Sequence, residues 1–124
     1  MPKPELEFVD VQTHFKWERN KEGSSQQVLA YDADTGNITK IVTRDPGHEQ
    51  FTPVQVHDFW EEVYIMDGAL FDKGLNKWFR AGMYTCRPPG MLHGPYKACP
   101  HQGAKMFVTL TYPPGTKAAG SDNA

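Results

Sequence analysis

The chain has 124 residues, and its 13 Lys and Arg against 15 Asp and Glu give a formal net charge of −2. Hydrophobic residues make up 39% and charged residues 23%, a balance typical of a folded domain and not of a disordered chain. The near-neutral charge provides no basic field for a nucleic-acid backbone. No apolar run approaches the ~20 residues needed to cross a bilayer, and the N-terminal MPKPELEFVD has no apolar signal core. We therefore expect one cytoplasmic domain over residues 1–124, with neither nucleic acid nor membrane as a partner.

The spacing of turn residues predicts an all-β fold. Ten Pro and eleven Gly leave few windows long enough for a helix. From the N-terminus, residues 7–20 fit either a strand or one short helix. Residues 26–33 and 37–44 then form a predicted hairpin around a Gly-containing turn. Strand-like residues follow at 51–57 and 61–72, the latter with a turn signal at Asp67-Gly68.

The second half of the chain continues the pattern of short strands. A turn is predicted near Lys73-Gly74, two short strands flank Ala81-Gly82, and the last strand covers residues 104–112, where apolar residues alternate along one face. Eight or more short antiparallel strands predict a sandwich or barrel, whose interior can hold a pocket. The small and polar residues 115–124 are predicted to form a loose tail.

Candidate metal ligands lie around the strand at residues 61–72. Gln55 and His57 are two positions apart, so along a strand their side chains project to one face, and Glu61 follows four residues later. Glu61 shares a strand face with apolar residues 63 and 65, whereas Glu62 lies on the other face. We therefore expect Glu61 inside the fold and Glu62 at the surface or in an ion pair with Arg80 or Arg87.

A second histidine, His93, follows the rigid turn at residues 88–90. His57, Glu61 and His93 together are a candidate two-His, one-carboxylate triad, the arrangement that leaves open positions on non-haem Fe(II). Gln55 could add a neutral oxygen ligand. Because an amide carbonyl is a weaker and harder donor than imidazole, Gln55 would favour Fe(II), Mn(II) or Zn.

These residues resemble the two sequence motifs of the cupin family. Residues 55–68 match the portion His-x-His-x3-Glu-x6-Gly of the first motif, except that Gln55 replaces the first histidine. Residues 82–93 match the second motif through His93, while Lys97 stands where that motif has asparagine. Gly47 precedes Gln55 at a longer spacing than the family's first glycine has. The motifs cover residues 47–97, and the segments 61–72 and 81–95 are most similar to the subgroup with the cupin-like zinc domain of anti-sigma factors and the acetylacetone dioxygenases.

The resemblance implies a jelly-roll β-barrel with one divalent metal ion in its centre, held by Gln55, His57, Glu61 and His93. It further implies a metal-dependent enzyme that acts on a small oxygenated organic molecule. We favour an Fe(II) dioxygenase that cleaves a C–C bond in a diketone or aromatic ketone. The alternatives are a redox-neutral Zn or Mn isomerase or lyase, and a non-catalytic module that binds a metal or ligand.

Further candidates surround the predicted metal centre. Tyr96 and Lys97 follow His93 closely and are candidates for substrate orientation or proton transfer. Exposed barrel edges and an apolar-rich N-terminal segment favour a homodimer. Because small-molecule pockets are mainly apolar and aromatic, the pocket candidates are Phe59, Tyr64, Tyr84, Cys86 and Phe107.

Overall fold

The computed structural model describes residues 2–20 and 22–116, and it confirms the predicted all-β fold. Within these residues the one helix, α1, is a single turn, and the remaining regular structure consists of antiparallel strands. The N-terminal stretch combines both predicted possibilities, because a helical turn is followed by a two-residue strand. The elements are α1 (Val11–His14), β1 (Glu18–Arg19), β2 (Ser24–Tyr31), β3 (Ile38–Arg44), β4 (Trp60–Asp72), β5 (Lys77–Arg80), β6 (Tyr84–Arg87), β7 (Tyr96–Ala98) and β8 (Ala104–Thr111).

The long strand β4 organises the sheet. The strand order is β1-β2-β3-β8-β4-β5, and β6 and β7 also pair with β4. The first half of β4 lies between β8 and β6, whereas its second half pairs with β5 and β7. One strand therefore belongs to both walls of the fold, and residues at its start face the space between them.

The turn predicted at Asp67-Gly68 is wrong, because β4 continues through these residues. The pairing of β4 with β8 shifts register between Ile65 and Asp67, which is a β-bulge. Gly68 has a φ of 76°, a conformation that favours glycine. An Asp-Gly pair serves a bulge as well as a hairpin, since both need a residue at positive φ.

The core follows the alternation of the two central strands. In β4, Glu61, Val63 and Ile65 are buried and the residues between them are exposed. In β8 the buried positions include Val108 and Leu110, as the sequence predicts. Leu110 is completely buried and lies opposite Glu61 in the sheet. The apolar side chains from β4 and β8 thus surround the carboxylate of Glu61.

The N-terminal segment is fixed to the outside of the sheet by one buried amide. The side chain of Gln27 in β2 is fully buried, and its Nε2 donates to the carbonyl oxygens of Val11 and Phe15 at 3.0 and 3.1 Å. These bonds satisfy carbonyl groups at the helical turn, which would otherwise lack partners. Asp10 caps the other end, where its side chain accepts from the backbone amide of Gln12.

The predicted tail lies mostly outside the described residues, and one strand of the structure was not predicted. The predicted tail at residues 115–124 lies outside the described residues from residue 117 onward. The short strand β7 was not predicted from sequence, since only three residues form it. No helix in the described part of the chain is long and apolar enough to span a membrane.

Candidate metal centre

Three separate elements supply the candidate ligands. Glu61 is the second residue of β4, and its side chain points into the fold because it alternates with the exposed Trp60 and Glu62. His57 lies in the segment that leads into β4, and His93 lies in the loop between β6 and β7. The expectation that Glu61 lies inside and Glu62 at the surface is confirmed by their burial.

Backbone hydrogen bonds hold the two histidine segments together. The amide of Gln55 donates to the carbonyl of His93 at 2.8 Å, and the amide of His93 donates back to Gln55 at 3.0 Å. The amide of Gly90, in the Pro-Pro-Gly turn, donates to the carbonyl of His57 at 2.9 Å. These bonds replace the regular strand expected at residues 51–57, where the structure has only an isolated bridge at Gln55.

His57, Glu61 and His93 converge on one point. One potential ligand atom from each side chain lies within 4.8 Å of the other two. The Nε2 atom of His93 is 3.8 Å from Oε1 of Glu61, and the two imidazole rings lie 5.1 Å apart. Glu61 is only 2% exposed and His93 only 8%.

The donor atoms fit a metal ion. Nε2 of His57 and Nε2 of His93 are both buried and have no hydrogen-bond partner among the described residues. A buried polar atom without a partner is costly, so two of them beside a carboxylate indicate a missing electropositive partner. Two imidazoles and one carboxylate are ligands for Fe, Zn or Mn.

A second layer of polar residues orients this triad. Nη1 of Arg87 donates to Oε1 of Glu61 at 2.7 Å, and Nη2 of Arg87 donates to the hydroxyl of Tyr96. The Tyr96 hydroxyl lies 3.4 Å from Nδ1 of His93. The ring of Phe59 stacks on His57 with centroids 4.6 Å apart. Such contacts fix the ring and carboxylate orientations of metal ligands.

The electrostatic environment keeps His93 neutral. Burial and, to a smaller extent, the nearby Arg87 guanidinium lower the pKa of His93 to about 4. Burial also raises the pKa of Tyr96 to about 12. At neutral pH, His93 is therefore an imidazole with a free lone pair, which is the form that binds metals. Tyr96 is a neutral phenol and acts as a hydrogen-bonding group.

Gln55 lies beside the triad. Its side chain lines a small interior void of about 30 Å³ together with Glu61, Arg87 and His93. The isolated bridge puts Gln55 directly opposite His93. Gln55 thus lies next to His93 and lines the void that Glu61 also lines, and its role as a fourth ligand stays a prediction.

An apolar cavity of about 460 Å³ opens onto one side of the triad. His93, Arg87 and Tyr96 form its polar end. This volume is in the range of small-molecule sites, which are mainly apolar with a few polar groups. The apolar lining includes Val63, Ile65, Leu70, Phe79, Met83 and Leu92.

The predicted pocket residues divide between this cavity and other places. Tyr84 lines the cavity, although its side chain is largely exposed. Phe59 belongs to the hydrophobic core and supports His57. Tyr64, Cys86 and Phe107 lie at exposed positions of β4, β6 and β8.

The two predicted catalytic candidates differ in position. Tyr96 is buried and contacts His93 and Arg87. Lys97 is the next residue of β7, so its side chain points to the opposite face of that strand. Of the two, only Tyr96 contacts the triad.

Sequence reasoning missed two arginines. It gave Arg80 or Arg87 as the ion-pair partner of Glu62 at the surface, but β4 and β6 place Arg87 directly opposite Glu61. Glu62 instead accepts hydrogen bonds from Tyr84 and Thr109. Arg44 at the end of β3 lines the same interior void. A charged residue on the inward face of a predicted strand would have indicated both arginines. That signal can be used only when the inward face of the strand is known.

Comparison with known proteins agrees with this architecture. The chain matches the model of the ChrR cupin-like domain over residues 7–113. An RmlC-like cupin from Shewanella frigidimarina NCIMB 400 has a TM-score of 0.70 at 21% identity, with 93% of this chain and 97% of that chain covered. No curated protein sequence is significantly similar to this chain.

Two other similar structures have more informative names. An acetylacetone dioxygenase from Acinetobacter johnsonii has a TM-score of 0.67 at 18% identity, with 96% of this chain and 86% of that chain covered. The complex of Rhodobacter sphaeroides SigE with the anti-sigma ChrR has a TM-score of 0.60 at 17% identity, with 77% of this chain and 48% of that chain covered. At these identities the similarity shows the fold alone. The family match spans most of the sequence, and the chain therefore belongs to the ChrR cupin-like family.

Proposed function

We propose that the protein is a metal-dependent enzyme, an Fe(II) dioxygenase that cleaves a C–C bond in a diketone or aromatic ketone. The observation that carries the proposal is the pair of buried, unpartnered Nε2 atoms of His57 and His93 beside the carboxylate of Glu61. Two histidines and one carboxylate with open positions are typical of non-haem Fe(II) oxygenases. The fold similarity to an acetylacetone dioxygenase supports the same reaction class.

His57, Glu61 and His93 would hold the ion, with the amide oxygen of Gln55 as a fourth donor. Fe(II) bound there would supply Lewis acidity toward a chelating substrate and the capacity to activate O2. The chain's own residues bind and orient the organic molecule. The apolar cavity takes its carbon skeleton and excludes water from the polar end, where Arg87 and Tyr96 lie beside His93.

Arg87 and Tyr96 are positioning residues in this proposal. Arg87 holds one oxygen of Glu61 and the hydroxyl of Tyr96 with two different nitrogens. Tyr96 in turn lies against Nδ1 of His93, the nitrogen opposite to the proposed ligand atom Nε2. The network fixes two of the three proposed ligands relative to each other, which favours a constant site geometry.

Metal content tests this proposal. We expect wild-type protein prepared with each divalent metal under low oxygen to hold close to one ion per chain. We expect His57→Ala and His93→Ala to lose it, and Gln55→Ala to bind more weakly. His101→Ala is the matched control, because His101 is exposed and outside the triad. Elemental analysis gives the metal content, and oxygen consumption with diketones and aromatic ketones tests the reaction.

The outcomes distinguish three functions. Iron with substrate-dependent oxygen consumption supports the dioxygenase. Redox-neutral turnover by the zinc- or manganese-loaded protein, with no oxygen consumption by the iron-loaded protein, would replace it with an isomerase or lyase, which Gln55 favours as a harder donor than imidazole. Metal binding without turnover of any substrate would favour a non-catalytic binding module. Equal metal content in His93→Ala and His101→Ala would contradict the metal centre itself.

We also propose a homodimer. The outer face of the sheet exposes aromatic side chains at adjacent strand positions, since Tyr64 pairs with Tyr84 on one side and with Phe107 on the other. An exposed apolar group of this kind is typical of a protein interface. Light scattering after size exclusion should give twice the chain mass of 14.0 kDa. A wild-type protein that is already monomeric, with the same mass in Tyr64→Ser, would contradict this proposal.

A further inference from the structure

A second, polar cavity lies on the side of β3 that the apolar cavity does not reach. It has a volume of about 1090 Å³ and lies between strands β1 to β3 and the segment at residues 48–55. Lys40, Val42 and Arg44 alternate along β3 and line it, so two basic side chains face inward from one strand. Gln55 lines this cavity and also the interior void beside the triad.

Arg44 is the unusual residue of this cavity. The Nε atom of Arg44 is buried and has no hydrogen-bond partner among residues 2–20 and 22–116. Within the same residues no carboxylate forms an ion pair with the Arg44 guanidinium, in contrast to Arg87, which is paired with Glu61. A guanidinium stays charged in proteins, and burial disfavours the charge of Arg44, although the charges of Glu61 and Glu22 partly offset this cost without forming an ion pair. An anion from outside the chain would remove this cost.

His48 lines the polar cavity together with Arg44. Its Nδ1 atom is buried without a partner among the described residues. Burial lowers the pKa of His48, and the charge of Arg44 lowers it further. The charge of Arg44 therefore acts on His48. His48 contributes a neutral imidazole that can donate one hydrogen bond.

The carboxylates that line the polar cavity have other partners or are exposed. Glu49 is paired with Lys73 at 2.6 Å, and Glu18 accepts a hydrogen bond from Gln26 at 2.9 Å. Glu18 and Glu22 are exposed at the rim, where water screens them. The rim is thus mixed in charge, and Lys40 and Arg44 contribute two basic side chains from β3 to the lining of the cavity.

We propose that the polar cavity is an oxyanion site, in which Arg44 binds the carboxylate or phosphate group of a small acidic molecule and His48 assists. The planar guanidinium suits both groups, because it can donate two parallel hydrogen bonds to either. Since Arg44 also lines the void next to Glu61 and His93, an anion held there lies beside the triad. The site does not require a metal ion in the triad.

Calorimetric titration with malonate and with inorganic phosphate tests the site. It uses wild-type protein both metal-loaded and stripped of metal, dialysed free of chelator, at constant ionic strength. We expect saturable binding in both forms, and the stronger anion identifies the class of ligand. Arg44→Gln should weaken binding about tenfold or more, because a hydrogen bond to a charged group is lost. His48→Ala should weaken it less. Arg80→Gln, an exposed arginine on β5, should leave it unchanged.

Thermal stability provides a second test that does not depend on the affinity of either anion. Arg44→Met removes a partly buried charge that forms no ion pair within the described part of the chain, and it keeps similar volume, so it should raise the Tm of the anion-free protein. It should also abolish the rise in Tm that malonate or phosphate causes in the wild type. Equal anion affinity in Arg44→Gln and wild type, binding of neither anion, or a lower Tm in Arg44→Met would each overturn the proposal. Because stripped protein is included, failure of the metal centre would not imitate any of these results.

Discussion

Replacing Arg87 with methionine is expected to lower the free energy of unfolding of the metal-free protein by about 3–5 kcal/mol. The side chain of Glu61 is 3% exposed, and Arg87 is its ion-pair partner at 2.7 Å. Removal of the guanidinium leaves a carboxylate in the core without its ion-pair partner, where burial disfavours its charge. The Tyr96 hydroxyl loses its donor at the same time. Urea unfolding in the absence of metal measures the change.

Arg80→Met is the matched control for this experiment. Arg80 is exposed on β5, so its replacement should change the free energy of unfolding by less than about 0.5 kcal/mol. The double variant Glu61→Gln/Arg87→Met removes both charges and should recover much of the lost stability. If Arg87→Met and Arg80→Met unfold at the same urea concentration, the ion pair contributes nothing and the interpretation fails.

Gly68→Ala is expected to destabilise the protein by about 2–5 kcal/mol, from overpacking and a left-handed backbone together. A Cβ atom at Gly68 would lie 2.1 Å from the carbonyl oxygen of Gly103 and 2.8 Å from its carbon. Both neighbours are backbone atoms, so the bulge in β4 or the turn before β8 must move. Thermal unfolding followed by circular dichroism measures the loss.

Gly47→Ala separates the two causes. Gly47 has a φ of 74°, almost the same as the 76° of Gly68, but an added Cβ would have no atom within 4 Å. This variant therefore reports the conformational cost alone, about 1–2 kcal/mol. A loss in Gly68→Ala no larger than that in Gly47→Ala would show that the close approach of β4 to Gly103 is tolerated without cost.

The sequence predicts the strands well where one face is uniformly apolar. In β8 the alternation of Val108 and Leu110 with polar residues leaves one choice of inward face, and the structure follows it. The Asp67-Gly68 pair was ambiguous, because a bulge and a hairpin both require positive φ. Pairing with β8 on both sides of the bulge decides between them, and that long-range contact is not visible in a local pattern.

The site could be predicted as a set of ligands but not as a network. Strand alternation at Glu61 and the turn before His93 made His57, Glu61 and His93 a candidate triad, and the resemblance to the cupin motifs implied that they converge. On β6, by contrast, Tyr84 and Cys86 were expected to face inward, whereas the structure turns Arg87 toward the interior. The two-residue alternation of a strand gives β6 two possible inward faces. The face with Arg87 is inside because the buried carboxylate of Glu61 lies opposite it. That choice depends on the register between β4 and β6, which the sequence does not contain.

The segments that hold the candidate ligands also form the mouth of the apolar cavity. Val54 precedes Gln55, Leu92 precedes His93, and both side chains line that cavity. Two backbone hydrogen bonds join Gln55 to His93 across the mouth. A molecule that spreads the mouth must strain the same bonds that align the ligands. Under the proposed function, cavity occupancy and metal affinity are then coupled in free energy, and reciprocity requires each to change the other by the same factor.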